Sequence, residues 1–318
     1  MTNVNDLGQA KKNRVDGVIP REDYWQLVRS SLASASKLSK LLESSGAYLK
    51  ISSSGTVLSY PLTPSTDVDF IVDSEDTRSI GVSVVSDGPY EPLLQKALLE
   101  ISRDCKLFID VGANAGFYSI SVRATSKKCN VVAFECNPDI RNLFLRNIQL
   151  NSISGIEVRS EALAESPGKA DFHVPAFTGS GGGSLQNLHP EEGTAQKFQV
   201  DLVALDSFRL KGVDLMKIDV EGAELGVING SLSSINSSKP TIFIELLRKW
   251  MAPFGANPGD VSTLLLAMGY RIFEISEEGI IPVNNLSSET AATNFVFIHP
   301  KRAGHLKRLQ GLVSKSKD

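Results

Sequence analysis

The sequence predicts a doubly wound α/β fold, a largely parallel sheet with helices on both faces, preceded by a small α+β extension. Three observations predict it. From residue 106 onward, apolar runs of strand length alternate with runs of helical period. The first of these, Phe108-Ile-Asp-Val-Gly-Ala-Asn-Ala-Gly-Phe-Tyr118, reads as a buried strand, a glycine turn and the start of a helix, and Val131-Val-Ala-Phe-Glu135 reads as a second buried strand. Size agrees, since 318 residues with 42% hydrophobic content can fill one substantial core and leave a further region over, single cores ceasing to grow at about 250 residues.

In chain order, residues 21–45 read as a helix, with Trp25, Leu27, Val28, Leu32, Leu38, Leu41 and Leu42 near helical spacing, and Gly46 ends it. Strand-like pieces at 48–51 and 67–72 follow between Ser/Gly/Pro-rich turns. Residues 92–101 form a helix whose Leu93, Leu94, Ala97, Leu98 and Ile101 share one face. The alternating series then gives strands at 107–111, 131–135, 156–163, 215–220 and 241–246, and helices at 119–124, 140–150 and 225–235. Pro138 suits the first turn of the second of these helices, and Asn137 its N-cap. Further strands at 170–174 and 198–205 flank the loop Thr178-Gly-Ser-Gly-Gly-Gly-Ser184. A closing pair, 270–275 and 294–298, is joined by an excursion containing Glu277-Glu-Gly279. The chain thus divides into an extension (1–90), a main domain (91–300) and a basic tail (301–318), with no internal repeat.

The formal net charge of −3 gives no basic excess of the kind that drives nucleic-acid binding by counterion release. Cys105, Cys129 and Cys136 have no Cys-x-x-Cys spacing, so reduced thiols are expected rather than a disulfide framework or a zinc site. Residues 1–17 lack the apolar stretch of a signal peptide, and no run approaches the roughly 20 apolar residues that span a bilayer. A cytoplasmic location is expected. In the tail, Lys301, Arg302, Lys307, Arg308, Lys315 and Lys317 stand against one acid, with Leu306, Leu309 and Leu312 at helical spacing. Such an end suits weak contact with anionic lipid or a partner, although a solvated terminal helix is the plainer expectation.

The glycine turn and the acid that ends the second strand carry the first chemical expectation. Glu135 lies about 20 residues beyond Gly112, the place from which a carboxylate chelates the hydroxyls of a ribose. A dinucleotide site would set a second glycine where Asn114 stands, to let the backbone approach a pyrophosphate. Gly112 and Gly116 instead bracket an amide that both donates and accepts, which suits an amino-acid moiety, and Asp110 can meet its ammonium. S-adenosylmethionine unites these parts, and carboxylates favour its sulfonium charge. Phe117, Tyr118, Cys136 and Asn137 adjoin the same turn and strand end; Glu161 and Ala162 follow the third strand, where the adenine amino group would be met.

A second constellation is Asp214-Leu-Met-Lys-Ile-Asp-Val-Glu-Gly-Ala-Glu224. It reads as a buried strand with Lys217, Asp219 and Glu221 on one face by period two. Buried acids need partners, which means pairing with Lys217, capping of the following helix, or a cation. Glu245 ends the next strand at the same sheet edge, so Asp219 and Glu245 are the expected pair for a hard divalent ion such as Mg2+. Asp219 is also the expected proton acceptor for a substrate hydroxyl, with Glu221 and Lys217 beside it as catalytic candidates; His173 and His189 are secondary candidates for a base.

Phe108-Ile-Asp-Val-Gly-Ala-Asn-Ala-Gly116, Ala133-Phe-Glu-Cys-Asn-Pro138, Gly182-Gly-Ser-Leu185, Val203-Ala-Leu-Asp-Ser207 and Lys217-Ile-Asp-Val-Glu-Gly-Ala-Glu224, in that order, resemble the FkbM-type S-adenosylmethionine-dependent methyltransferases over roughly residues 107–300. The resemblance implies a Rossmann-like, seven-stranded methyltransferase sheet and an O-methyltransferase acting on a sugar, glycan or polyketide hydroxyl. The first ninety residues lie outside it; in such enzymes added N-terminal segments shape substrate entry or homo-oligomer contacts. Two other readings compete, a nicotinamide-dependent oxidoreductase, which Asn114 opposes, and a non-catalytic module that binds an adenosyl ligand without needing Asp219 or Glu221.

Overall fold

The computed structural model describes residues 21–52, 55–72, 80, 83–84, 88–176, 179–191 and 193–313. The expectations for residues 1–17, Thr178, Lys315 and Lys317 lie outside these. The described part of the extension opens with α1 (Arg21–Leu41), and a short turn of helix ends at Gly46, whose left-handed backbone lets its N–H donate to the Glu43 carbonyl. Then β1 (Tyr48–Ser52), β2 (Gly55–Thr63) and β3 (Thr66–Ile71) form an antiparallel meander. The main domain follows with α2 (Pro92–Ser102), β4 (Leu107–Val111), α3 (Phe117–Thr125), β5 (Asn130–Phe134), α4 (Pro138–Leu150) and β6 (Ile156–Arg159).

Next come β7 (Ala162–Leu163), β8 (Gly168–Pro175) and β9 (Thr194–Val203), which make a separate three-stranded sheet. The expected third strand, 156–163, is therefore two strands. Arg159 and Glu161 form an ion pair at the break, and β7 turns away to pair with β9. The chain returns with β10 (Leu215–Ile218), α5 (Glu224–Asn229), α6 (Leu232–Ser238), β11 (Thr241–Glu245) and α7 (Arg248–Met251). The expected helix at 225–235 is likewise two helices, because the chain turns at Gly230, where a side chain would collide with the Ala164 carbonyl. It ends with α8 (Pro258–Ala267), β12 (Arg271–Ser276), β13 (Gly279–Val283), β14 (Asn294–Ile298) and α9 (Ala303–Val313).

The main sheet has eight strands in the order β13-β12-β14-β11-β10-β4-β5-β6, with β4, β5, β6, β10 and β11 parallel and β14 antiparallel to β11. Seven of them match the expectation, and the excursion around Gly279 adds the eighth as an antiparallel edge beside β12. Alternate residues fill a separate core on each face. Phe108, Leu215, Phe243 and Val296 face one core; Ile109, Met216, Ile244 and Phe297 face the other.

The extension shares the first of these cores. Phe70 and Tyr60 pack on Phe117 with ring centroids 5.5 and 5.4 Å away. The free edge of β3 is satisfied by α4: the N–H of Asp69 donates to Asn151 Oδ1 (2.8 Å) and that of Ile71 to Asn147 Oδ1 (3.0 Å). The tail belongs to the same body, since Leu306, Leu309 and Leu312 of α9 face the core. The solvated terminal helix that was the plainer expectation is instead a helix packed by its apolar face on the protein itself. No helix among the described residues is long and apolar enough to cross a membrane.

Candidate active site

Strand order reverses between β4 and β10, and at such a switch point the loops leaving the carboxyl ends of the strands diverge and open a crevice. A cavity of about 600 Å³ lies there, walled by residues that follow β4, β5, β10 and β11. Gly112 permits this convergence. Its φ of +77° is left-handed, and a Cβ there would collide with the backbone carbonyl of Asp219. Gly116, at φ +90°, is the N-cap of α3 and leaves no room for a side chain against the Phe144 ring. Asn114 is also left-handed (φ 49°), a conformation asparagine tolerates.

Glu135 holds this turn. Its Oε2 accepts the N–H of Asn114 (2.9 Å), and its Oε1 accepts that of Asn137 (2.8 Å). Burial pushes its pKa up to about 7 against the pull of those two N–H groups and of Arg141. Asn137 is the N-cap of α4, its side chain accepting from the N–H of Asp139. Glu135, Cys136, Asn114, Phe117, Tyr118, Glu161 and Ala162 line the cavity; Gly116 and Asn137 do not reach its wall and act on it through the backbone. Burial raises the pKa of the Cys136 thiol, so it is not a ready nucleophile. Arg159 donates to Glu161 at 2.8 Å; burial opposes ionisation of Glu161, but this partner outweighs it and the pKa is lowered.

Asp110 lies deeper. It is 1% exposed, and its Oδ2 accepts the Ser119 hydroxyl at 2.6 Å. Burial, the leading cause, raises its pKa to about 6. Across the parallel ladder Asp110 faces Lys217. The Lys217 ammonium, 6% exposed, donates to Asp219 Oδ2 at 2.6 Å and stands 4.8 Å from the centre of the Tyr118 ring. Burial works against its charge, but Asp219, Glu91 and Asp110 outweigh burial and raise its pKa.

Strand β10 ends at Ile218, so Asp219 and Glu221 belong to the loop beyond it. Glu221 is left-handed (φ 49°), which takes it out of the period-two row expected for Lys217, Asp219 and Glu221. Both acids still line the cavity, and the Glu221 carbonyl accepts the Ser184 hydroxyl at 2.8 Å. Glu224 is spent on the same loop, its Oε1 accepting the N–H groups of Gly222 (2.9 Å) and Val220 (3.4 Å).

Asp219 and Glu245 adjoin, one step beyond the last paired residues of β10 and β11 and at the end of β11 respectively. Burial, and then the charge of Asp219, raise the pKa of Glu245. The pair does not fit the expected Mg2+ site. Such an ion takes about six oxygen ligands, no group of three His, Cys, Asp or Glu gathers for a metal among the described residues, and the Lys217 ammonium already occupies Asp219 Oδ2. His173 and His189 do not line the cavity; His189 packs on the Trp250 ring, 4.7 Å between centroids.

Several wall residues left no sign in the sequence. Ile80, Tyr90 and Glu91 come from the chain before the main sheet, and Lys249 and Trp250 from the short α7. No motif or periodicity marks any of them. A lone Glu-Pro step before α2 was the available trace of Glu91.

A family model described as "Methyltransferase FkbM domain" matches residues 110–272, just over half of the chain. "Methyltransferase 1" of Beauveria bassiana (strain ARSEF 2860) is 29% identical over 147 residues, covering 40% of this chain and 59% of that protein. The "Hexuronic acid methyltransferase AglP" of Haloferax volcanii is 28% identical over 170 residues, covering 54% of this chain and 65% of that protein. The chain therefore spans about three fifths of the length of the curated relatives it matches. Among solved structures, a methyltransferase FkbM from Methylobacillus flagellatus KT has a TM-score of 0.39 at 17% identity, over 61% of this chain and 44% of that one. On the family match and the glycine-turn, Glu135 and Lys217–Asp219 elements within it, the chain belongs to the methyltransferase FkbM domain family.

Proposed function

We propose that this protein transfers a methyl group from S-adenosylmethionine to a hydroxyl of a sugar, a glycan or a related small molecule. One observation carries the reading: Glu135 and the Lys217–Asp219 pair open on a single cavity from the two sides of the switch point. The first suits a nucleoside, and the second suits proton transfer.

The residues fit the cofactor. Each Glu135 oxygen accepts one N–H and keeps a lone pair for a ribose hydroxyl. Glu161 is held ionised by Arg159, ready to accept from an adenine amino group. The cavity lies within the range of about 300–1,000 Å³ usual for small-molecule sites. When bound, the cofactor supplies an electrophilic methyl group on a sulfonium. Asp219 takes the proton of the acceptor hydroxyl, Lys217 holds the Asp219 carboxylate in place, and Phe117 and Tyr118 help to keep water out. A relative named for hexuronic acid supports a sugar as acceptor. In this reading residues 91–300 form the catalytic unit, and residues 1–90 shape the entrance through Ile80 and Tyr90.

Calorimetric titration with S-adenosylhomocysteine and, in parallel, NAD tests the cofactor. Binding of the former alone is expected, unchanged by magnesium or by excess chelator; binding of NAD alone would overturn the reading. Transfer of a labelled methyl group to a panel of neutral and acidic sugars tests the reaction. Tight cofactor binding with no hydroxyl methylated would favour the non-catalytic module instead.

A further inference from the structure

We propose that Glu91 is the anionic contact for the α-ammonium group at the amino-acid end of the bound cofactor, an inference that rests on reading the cavity as an S-adenosylmethionine site. Glu91 lines the cavity but lies outside the 110–272 span of the family match. Its backbone is left-handed (φ 40°, ψ 57°), a strained conformation for a residue with a Cβ. It stands at the N-cap of α2, yet its side chain makes no capping hydrogen bond. Instead Glu91 Oε2 accepts the Tyr118 hydroxyl at 2.6 Å. The strained backbone thus accompanies a carboxylate set on the cavity wall.

Its position fits the methionine end of the ligand. Glu135 touches the glycine turn at Asn114, where the ribose is expected; Glu91 is tied to Tyr118, in the first turn of α3 beyond that turn. Asp110, the acid that the sequence offers for the ammonium, also lines the cavity, but it is the more deeply buried carboxylate, with Ser119 on its Oδ2 and Lys217 opposite it in the ladder. Charge favours the same assignment. Asp110, Asp219 and Glu91 all bear on one buried ammonium, that of Lys217, and Asp219 is its hydrogen-bonded partner. Negative charge is in excess there, and a sulfonium together with an ammonium would match it.

The test compares S-adenosylhomocysteine with 5′-methylthioadenosine, which keeps the nucleoside and sulfur but lacks the amino-acid end. Both are titrated calorimetrically into the full chain and into Glu91→Gln, which preserves size and an acceptor for Tyr118. The substitution is expected to weaken S-adenosylhomocysteine at least tenfold and to change 5′-methylthioadenosine less than twofold. Equal weakening of both ligands, or no change in either, would overturn the proposal, as would a selective loss in Asp110→Asn that Glu91→Gln does not share. If Glu91→Gln fails to fold, Tyr118→Phe replaces it. Releasing Glu91 from its hydroxyl should weaken S-adenosylhomocysteine at least threefold and spare 5′-methylthioadenosine, and equal effects would again overturn the assignment. A wild-type chain that binds neither ligand would sink the cofactor reading itself, and the proposal with it.

Discussion

Glu135 serves the turn and the proposed ligand with one carboxylate, which makes its protonation state matter. Burial raises its pKa to about 7, with Arg141 pulling it down and Asp110 pushing it up. Ribose hydroxyls donate to the ionised form, so binding below that pKa requires loss of a proton. S-adenosylhomocysteine affinity should therefore level off in mildly alkaline buffer and fall by about tenfold per pH unit below about pH 7. Titrations across that range check it, and a flat profile would reject the assigned role. Glu135→Gln should abolish the dependence. It should also cost about 1–3 kcal/mol of stability, because one amide oxygen replaces two acceptors facing two N–H groups. Asp219 differs in kind, since its expected contribution is to the reaction. Asp219→Asn should lower turnover by about 10²- to 10⁴-fold while S-adenosylhomocysteine binding stays nearly unchanged. The buried Lys217 loses its charged partner in this variant, so the rate is to be measured per folded molecule. Normal turnover would remove Asp219 from the role of base.

Among the elements, the turn between β4 and α3 has the least freedom. In Gly112→Ala the new methyl group meets the Asp219 carbonyl in a conformation alanine resists, so β4 and β10 must part at the cavity. A loss of more than about 2 kcal/mol in urea unfolding is expected, together with loss of cofactor binding; a variant of wild-type stability would mean that the two strand ends separate more easily than their packing implies. This turn was legible in the sequence because it is local. A strand, two glycines and an acid at the end of the next strand fix where a ligand must lie, and Asn137 and Pro138 mark the helix start that the structure shows. At the break the polar run Arg159-Ser160-Glu161 interrupts the apolar period, but the departure of β7 was not legible, because it is decided by pairing with the distant β9. The edge strand β13 was hidden for a similar reason: it gains a partner when β12 is already in place. Glu91, at the N-cap of α2, and Trp250, in the short α7, approach the cavity only through the packing of the whole chain.

Across the whole molecule, the end of the sheet away from the cavity is closed by α9. Arg302 pairs with Asp214 at 2.6 Å and donates to the carbonyls of Val213, Ser238 and Lys239. His305, 4% exposed, bonds to Thr241 Oγ1 at 2.8 Å beneath the start of β11. Thr241 and Glu245 are four residues apart on β11, so this contact lies about 13 Å from the cavity end of the strand. Burial, followed by the charge of Arg302, lowers the His305 pKa from 6.5 to about 4, against the pull of Asp214 and Asp104. The unfolded chain accepts this proton near pH 6.5 and the folded chain near pH 4, so His305 makes stability fall as pH drops through that window. At about 1.36 kcal/mol per unit, the loss approaches about 3 kcal/mol by the acid end. Asp110, Glu135 and Glu224 act in the opposite direction. Their pKa values are raised mainly by burial, so protonation at acid pH relieves part of the cost of burying them. The acid stability of the wild-type chain alone therefore identifies no single group, and the difference between two chains is the quantity to measure. Urea unfolding of wild type and His305→Asn at neutral pH and near pH 4.5 should show the variant losing less stability on acidification by roughly 2 kcal/mol. Equal losses would mean that His305 takes up its proton in the folded protein much as it does in the unfolded chain, and that α9 does not seal this end of the sheet.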